Sequence, residues 1–209
     1  MRLVLATANP DKAAELQAIL KEELADLVEL VGRPRGVGEV EETGESLEDN
    51  ARLKAVAIVA ATGEAAVADD TGLEVAALGG APGIWSARFA GEAATYTDNV
   101  AKLLAVLEGE VDRRARFRTV VVCRFPDGKE ITGEGVVEGE IVATPRGLGG
   151  FGYDPVFAPE GGGGRTFAEM NPAEKHGLSH RGRALRSFAE RLKMSAEMAP
   201  NASPGSQAL

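Results

Sequence analysis

The chain has 209 residues, 44% hydrophobic and 26% charged, with 26 glycines, the make-up of a globular protein with a real core and Gly-rich loops, built as one domain or two closely packed lobes. A formal net charge of −9, from 23 Lys plus Arg against 32 Asp plus Glu, argues against general attraction to nucleic acid polymers, so an anionic ligand must be held by a few placed cations, a helix N-terminus or a metal ion. No stretch approaches a membrane span, the apolar run after Met1-Arg2 is too short for a signal-peptide core, and Cys123 alone cannot form an internal disulfide, so a reducing cytoplasm is expected.

Residues 3–7 (LVLAT) read as a buried strand. Asn9-Pro10 then starts a helix to about Leu24, with Pro10 at the first helical position and Ala13, Leu16, Leu20 and Leu24 on its core face. The free N–H groups at such a helix start, with Lys12 beside them, suit a phosphate. On the residues alone, an Asn cap with a solvated lysine is the plainer reading. Residues 27–31 form a second strand. Ser46, with Asp49 three residues on, opens a helix to about Ala61 that Gly63 ends. Asn50 and Lys54 share one face of that helix beside Ala51, Ala55 and Ile58. The ordinary explanation is a lysine stem on apolar surface with its head in water, and acids such as Glu41 and Glu42 before the helix complement its dipole.

Residues 66–91 (AVADDTGLEVAALGGAPGIWSARFAG) place adjacent acids, Asp69 and Asp70, after a short apolar run. The expectation is a buried strand delivering both carboxylates to a turn at Asp-Asp-Thr-Gly. On an extended chain the two would point opposite ways. Residues 78–94 read as a long functional loop. Thr97 or Asp98 caps a scaffold helix through Leu107, with Gly109 as terminator. Residues 116–125 alternate, Pro126-Asp127-Gly128 turns the chain, and residues 129–137 complete a β-hairpin, with a third run at 139–143 alongside. Cys123 inside it reads as a small hydrophobe.

Residues 147–152 match G-x-G-x-x-G, but no helix opens there and residues 153–157 read as extended chain with a proline. The segment is therefore a loop presenting Phe151 and Asp154, followed by a loop at 161–164 and a helical turn at 166–170. Residues 175–182 (KHGLSHRG) form a short polar segment before a last helix with Leu185, Phe188, Ala189 and Leu192 on its core stripe. Adjacent Ser179 and His180 cannot easily make a catalytic pair, and no G-x-S-x-G elbow is present, which rejects a serine hydrolase. Cations at a helix start oppose the dipole, which favours a bound counter-anion. From Ser195 onward the residues carry no pattern, and residues 195–209 read as a disordered tail.

Five motifs in order, LATANPDK at 5–12, EETGESLEDNARLKA at 41–55, ADDTGLEVAALGGAPGIWSARFAG at 68–91, GGFGYDPVF at 149–157 and EKHGLSHRGRAL at 174–185, resemble the Ham1 or inosine triphosphate pyrophosphatase family. The resemblance runs from Leu3 to about Leu192. It implies one α/β domain over residues 1–194, an elongated mixed β-sheet flanked by helices, with two lobes and the nucleotide cleft between them, and a homodimer. It also implies Mg²⁺-dependent hydrolysis of non-canonical purine nucleoside triphosphates (ITP, dITP, XTP) to the monophosphate and pyrophosphate, removing deaminated nucleotides from the precursor pool.

By the same resemblance, Thr7, Ala8, Asn9 and Lys12 are the triphosphate turn, with Ala8 where the family often has Gly. Glu42 and Asp70 are implied magnesium ligands, Lys54 a phosphate contact, and Asp70 the acid that takes a proton from water, with Asp69 as support or rival base. Thr71 follows as a substrate contact. Phe151, Gly152, Tyr153 and Asp154 correspond to the base pocket, and Lys175, His180 and Arg181 to the remaining contacts with base and phosphates. Hypoxanthine and xanthine present a 6-oxo acceptor and an N1–H donor, so donors at the 6-position would reject adenine by roughly four orders of magnitude, with Phe151 stacked on the ring. A Maf-type pyrophosphatase acting on pyrimidine or modified nucleotides is the competing enzyme reading, and the presence of both Glu42 and Asp70 argues against a non-catalytic nucleotide sensor.

Overall fold

A computed structural model of the chain describes residues 1–198. The order is β1 (Arg2–Leu5), α1 (Pro10–Leu24), β2 (Glu29–Val31), α2 (Leu47–Thr62), β3 (Ala65–Val75), β4 (Pro82–Gly83), α3 (Tyr96–Val106), β5 (Arg114–Arg124), β6 (Glu130–Ile141), β7 (Phe157–Pro159), α4 (Pro172–Leu178) and α5 (His180–Met198). The strands make one mixed sheet in the order β2-β1-β3-β5-β6-β7, with β4 on the edge of β3. β1 runs parallel to β2 and β3, and the remaining pairs are antiparallel. This is an α/β fold with helices on both faces of a mixed sheet.

Local signals set the helix starts. The Asn9 side chain accepts from the Asp11 and Lys12 N–H groups, and Ser46 accepts from Asp49 N–H. Gly63 ends α2 at φ 69°, a conformation that costs glycine little. Thr95 rather than Thr97 or Asp98 caps α3, because Thr95 and Asp98 close a reciprocal capping box.

Several expectations change where distant pairing decides. Asp69 and Asp70 lie inside β3, not in a turn, since Ala66 to Val75 all pair with β5 and that ladder outweighs the turn tendency of Asp-Asp-Thr-Gly. Gly72 serves close approach instead: a Cβ there would lie 2.8 Å from the Gly83 carbonyl oxygen of β4. The loop expected at 78–94 contains β4 and a 3-10 turn at Ser86–Arg88. The run at 139–143 is no separate strand, because β6 continues to Ile141. Residues 153–156 fold as turns, with Val156 and Phe157 N–H donating to the Tyr153 carbonyl, before β7 begins. Lys175 and His176 belong to α4, which Asn171 and Glu174 cap as a box. α5 reaches Met198, so residues 195–198 are helical; the rest of the expected tail, 199–209, lies outside the described residues.

Two features of the sheet position the cleft. β1 pairs with β3 only from Leu3↔Ala65 to Leu5↔Val67, and β4 joins at Leu73 and Glu74, so between them this edge of β3 has no strand partner among the described residues. The chain leaves β1 there into α1, a break of the kind at which α/β sheets bind ligands. α1 and α5 pack on one face through Leu16, Leu20, Val67, Val121, Leu185 and Phe188. α2 covers the other through Val4, Ala55, Ile58, Ala66 and Ala68. α5 lies directly on the backbone of β6: a Cβ at Gly135 would stand 2.1 Å from the His180 carbonyl oxygen, and one at Gly133 2.4 Å from that of Ala184.

Candidate active site

A cleft of about 730 Å³ opens at the break beside β3, within the range of small-molecule sites. Thr7, Ala8, Asn9, Lys12, Glu42, Lys54, Asp70, Thr71, Phe151, Gly152, Tyr153, Asp154, His180 and Arg181 line it. Asp69 and Lys175 stand behind that lining, each bonded to side chains that form it.

Strand alternation sends the paired acids to opposite faces. Asp70 faces α2, where Lys54 Nζ lies 2.9 Å from Asp70 Oδ1 and 3.0 Å from Glu42 Oε1. The Lys54 side chain is only 12% exposed, so its head is not in water. Burial works against the Lys54 ammonium, but Asp70 and Glu42 outweigh it and hold the group above the ordinary lysine value. Burial raises the Asp70 carboxyl, against the pull of Lys54 and Lys12 and with repulsion from Glu42.

Asp69 faces α1 and α5 and its side chain is fully buried. Its Oδ2 accepts from Arg181 Nε at 3.1 Å and lies 3.5 Å from Lys12 Nζ. Burial alone would raise this carboxyl, but Lys12, Arg181 and Lys54 hold it far below the usual carboxylate range. Glu15 of α1, which sequence reasoning missed, ties the frame together: Oε2 accepts from Arg181 Nη1 at 2.6 Å and Oε1 from Lys175 Nζ at 2.7 Å. Lys175 Nζ also reaches Asp154 Oδ2 at 2.5 Å. The one signal for Glu15 was its place three residues after Lys12, on the same helix face.

The Phe151 loop forms the next wall. Asp154 Oδ2 accepts from the Phe151 N–H at 2.8 Å, and Gly150, at φ 69°, makes room for that carboxylate, which a Cβ would approach to 2.1 Å. The Phe151 ring has Lys175 Nζ 4.7 Å from its centroid and Tyr96 at 5.9 Å. Tyr96, also unanticipated, accepts from Asn9 Nδ2 at 2.8 Å and so links α3 to the α1 cap. His180 stacks on Phe117 at 4.5 Å, its Nδ1 2.6 Å from Thr119 Oγ1. Burial first, then Arg181 and Lys175, push its pKa well below the ordinary value, so the ring is neutral. His180 and Arg181 are thus interior groups rather than helix-surface residues. Cys123 is buried and its thiol pushed up to about 12, as suits an inert core residue.

The arrangement suits a polyphosphate: α1 presents its N-terminus, Lys12, Lys54 and Arg181 supply positive charge, and acids behind the cations keep them in place. Among the described residues no cluster of three or more His, Cys, Asp or Glu could hold a metal alone. Mg²⁺ needs only one or two carboxylates when a substrate supplies further oxygens. Glu42 and Asp70, both within reach of Lys54 Nζ, meet that requirement.

The sequence model of the Ham1 family matches residues 3–191. The chain belongs to the Ham1 family. The dITP/XTP pyrophosphatase of Desulforamulus reducens is 50% identical over 195 residues, covering 92% of this chain and 96% of the relative. That of Thermus thermophilus is 48% identical over 198 residues, covering 92% of each. Among solved structures, a HAM1 protein from Coxiella burnetii superposes with a TM-score of 0.83 at 40% identity, covering 93% of this chain and 99% of that one. Among the described residues no helix is long and apolar enough to cross a membrane.

Proposed function

We propose that this Ham1-family chain hydrolyses dITP, ITP and XTP to the nucleoside monophosphate and pyrophosphate, clearing deaminated purines from the nucleotide pool. The observation that carries the reading is Asp70, a largely buried carboxylate in the wall of a cleft also lined by Lys12, Lys54 and Arg181, in a chain about half identical to curated dITP/XTP pyrophosphatases. The triphosphate lies on the α1 N-terminus at Thr7, Ala8, Asn9 and Lys12, with Lys54 as a further cation on its oxygens. Water attacks the α-phosphorus, its new P–O bond forming as the bond to the bridging oxygen breaks, and pyrophosphate departs. Asp70, raised by burial, takes the proton from the water. Asp69, locked to Arg181 and Lys12, serves as countercharge rather than base. Glu42 and Asp70 would hold Mg²⁺, which when bound neutralises phosphate charge and acidifies water.

The base sits against Phe151 with Gly152, Tyr153 and Asp154 forming its pocket, Lys175 steadies that loop from behind, and His180 and Arg181 face the nucleotide with Thr71. Two lobes meeting at the cleft, residues 1–194 as the working domain, a homodimer and a cytoplasmic location complete the reading.

The test is a panel of ITP, dITP, XTP, ATP, GTP and UTP, with and without Mg²⁺, with product identification. Pyrophosphate from the first three, lost on chelation, is the expected result. Orthophosphate as product, ATP turned over as fast as ITP, or UTP preferred would overturn it.

A further inference from the structure

We infer that Thr119, on β5 away from the reacting phosphates, is a specificity-determining positioning residue: its hydroxyl fixes the tautomer of His180 so that Nε2 carries the ring proton and faces the cleft as a donor. This deepens the reading that a 6-oxopurine occupies the cleft and rests on it.

Four polar groups run in a chain from Arg181 to His180. Arg181 Nη2 donates to Thr71 Oγ1 at 3.1 Å, Thr71 Oγ1 lies 2.7 Å from Thr119 Oγ1, and Thr119 Oγ1 lies 2.6 Å from His180 Nδ1. A guanidinium can only donate, so the direction of the chain is set at that end. Thr71 has one proton and two acceptors to choose from, Thr119 Oγ1 at 2.7 Å and Asp69 Oδ2 at 3.4 Å. The first is an ordinary O–H···O length and the second lies beyond the usual range. The Thr71 proton therefore goes to Thr119. Thr119 touches two polar groups among the hydrogen bonds of the described residues, and since Thr71 spends its proton on Thr119, the Thr119 proton is left for His180 Nδ1. A separation of 2.6 Å suits a hydroxyl donor better than a ring N–H, whose bonds to oxygen run longer. Nδ1 accepts, and Nε2 must bear the hydrogen.

His180 is neutral, so its ring, buried beside Arg181 and Lys175, holds a single N–H. Stacking on Phe117 at 4.5 Å and burial to 3% exposure keep the ring from turning over. An Nε2–H donor in the cleft pairs with an acceptor such as the 6-oxo group and opposes the 6-amino group of adenine, itself a donor. With the other tautomer the preference would reverse. Arg181 thereby acts twice, through its charge and, by way of two threonine hydroxyls, through the polarity of its neighbour.

Histidine occurs only twice in the chain, so the imidazole nitrogens can be resolved by ¹⁵N NMR of the full-length protein without nucleotide, with His176→Gln assigning the pair. The expected result is protonated Nε2 and bare Nδ1 at His180 in the wild type and in Thr119→Ser, and loss of that preference in Thr119→Val. The ratio of kcat/KM for ITP over ATP should fall by about tenfold in Thr119→Val, the weight of one ordinary hydrogen bond, and stay within about twofold of wild type in Thr119→Ser. A wild-type ring protonated at Nδ1, or an unchanged tautomer in Thr119→Val, would overturn the inference, as would equal loss in the serine and valine variants, which would mark a packing role. The NMR measurement needs no substrate, so a failure of the substrate panel leaves it standing.

Discussion

The two faces of β3 carry one carboxylate each, and the two are treated in opposite ways. Asp69 is sealed behind Lys12 and Arg181, and Arg181 is held in turn by Glu15, which also pairs with Lys175. Asp70 opens on the cleft with one cation, Lys54, shared with Glu42. The closed face fixes positions and the open face offers groups whose partners can change when a nucleotide arrives. On the proposed function, neighbouring residues of identical chemistry are divided between frame and reaction by the pleat of one strand.

Asp70→Asn sets the two faces against each other most directly. Turnover of ITP should drop by about 10³-fold, the usual worth of a positioned base, with nucleotide binding and thermal stability largely kept, as kinetics and calorimetry would register. If Asp69→Asn folds normally and is dead while Asp70→Asn works, the assignment of the two faces is reversed. Next in size, Asp69→Asn should act on folding: removing the countercharge of buried Arg181 and Lys12 costs about 3 kcal/mol, read as a shift of the urea midpoint.

The smallest effect concerns pH. The folded pKa of His180 lies below its unfolded value of about 6.5, so on acidification the unfolded chain binds the proton first. Its contribution is intact above about pH 6.5 and is lost below it, at up to about 1.4 kcal/mol per pH unit. Asp69, also depressed, contributes above the unfolded carboxylate value of about 3.9 and does not change between pH 7.5 and 5.5. Melting temperatures over that interval should fall in the wild type and in His176→Gln, and fall less in His180→Gln.

What could be read from residue order followed from the range of the forces involved. Caps are local, so Asn9-Pro10, Ser46 with Asp49, and Gly63 marked α1 and α2 closely. The continuation of β3 through Asp69 and Asp70 depends on pairing with β5 some fifty residues on, which no local signal carries. Asn171 with Glu174 did spell a capping box for α4, overlooked because the helix is short. At the site, elementary chemistry read Lys12 and Lys54 as solvated, and only the five motifs together argued otherwise. The structure places both in the cleft wall against carboxylates from other elements. Glu15 and Thr119 escaped because their partners, Arg181 and His180, lie far away in sequence.

Gly133 and Gly135 bear on all of this from a strand whose glycines do not line the cleft. Because β6 has bare backbone where the first turns of α5 rest on it, the reach of His180 and Arg181 is measured from the sheet with no side chain in between. A methyl group at either position would act as a shim, backing the helix away and loosening both the grip on Asp69 and the stack on Phe117. If His180 and Arg181 contact the nucleotide as proposed, its recognition is a tolerance set on β6, at two positions that contribute no functional group.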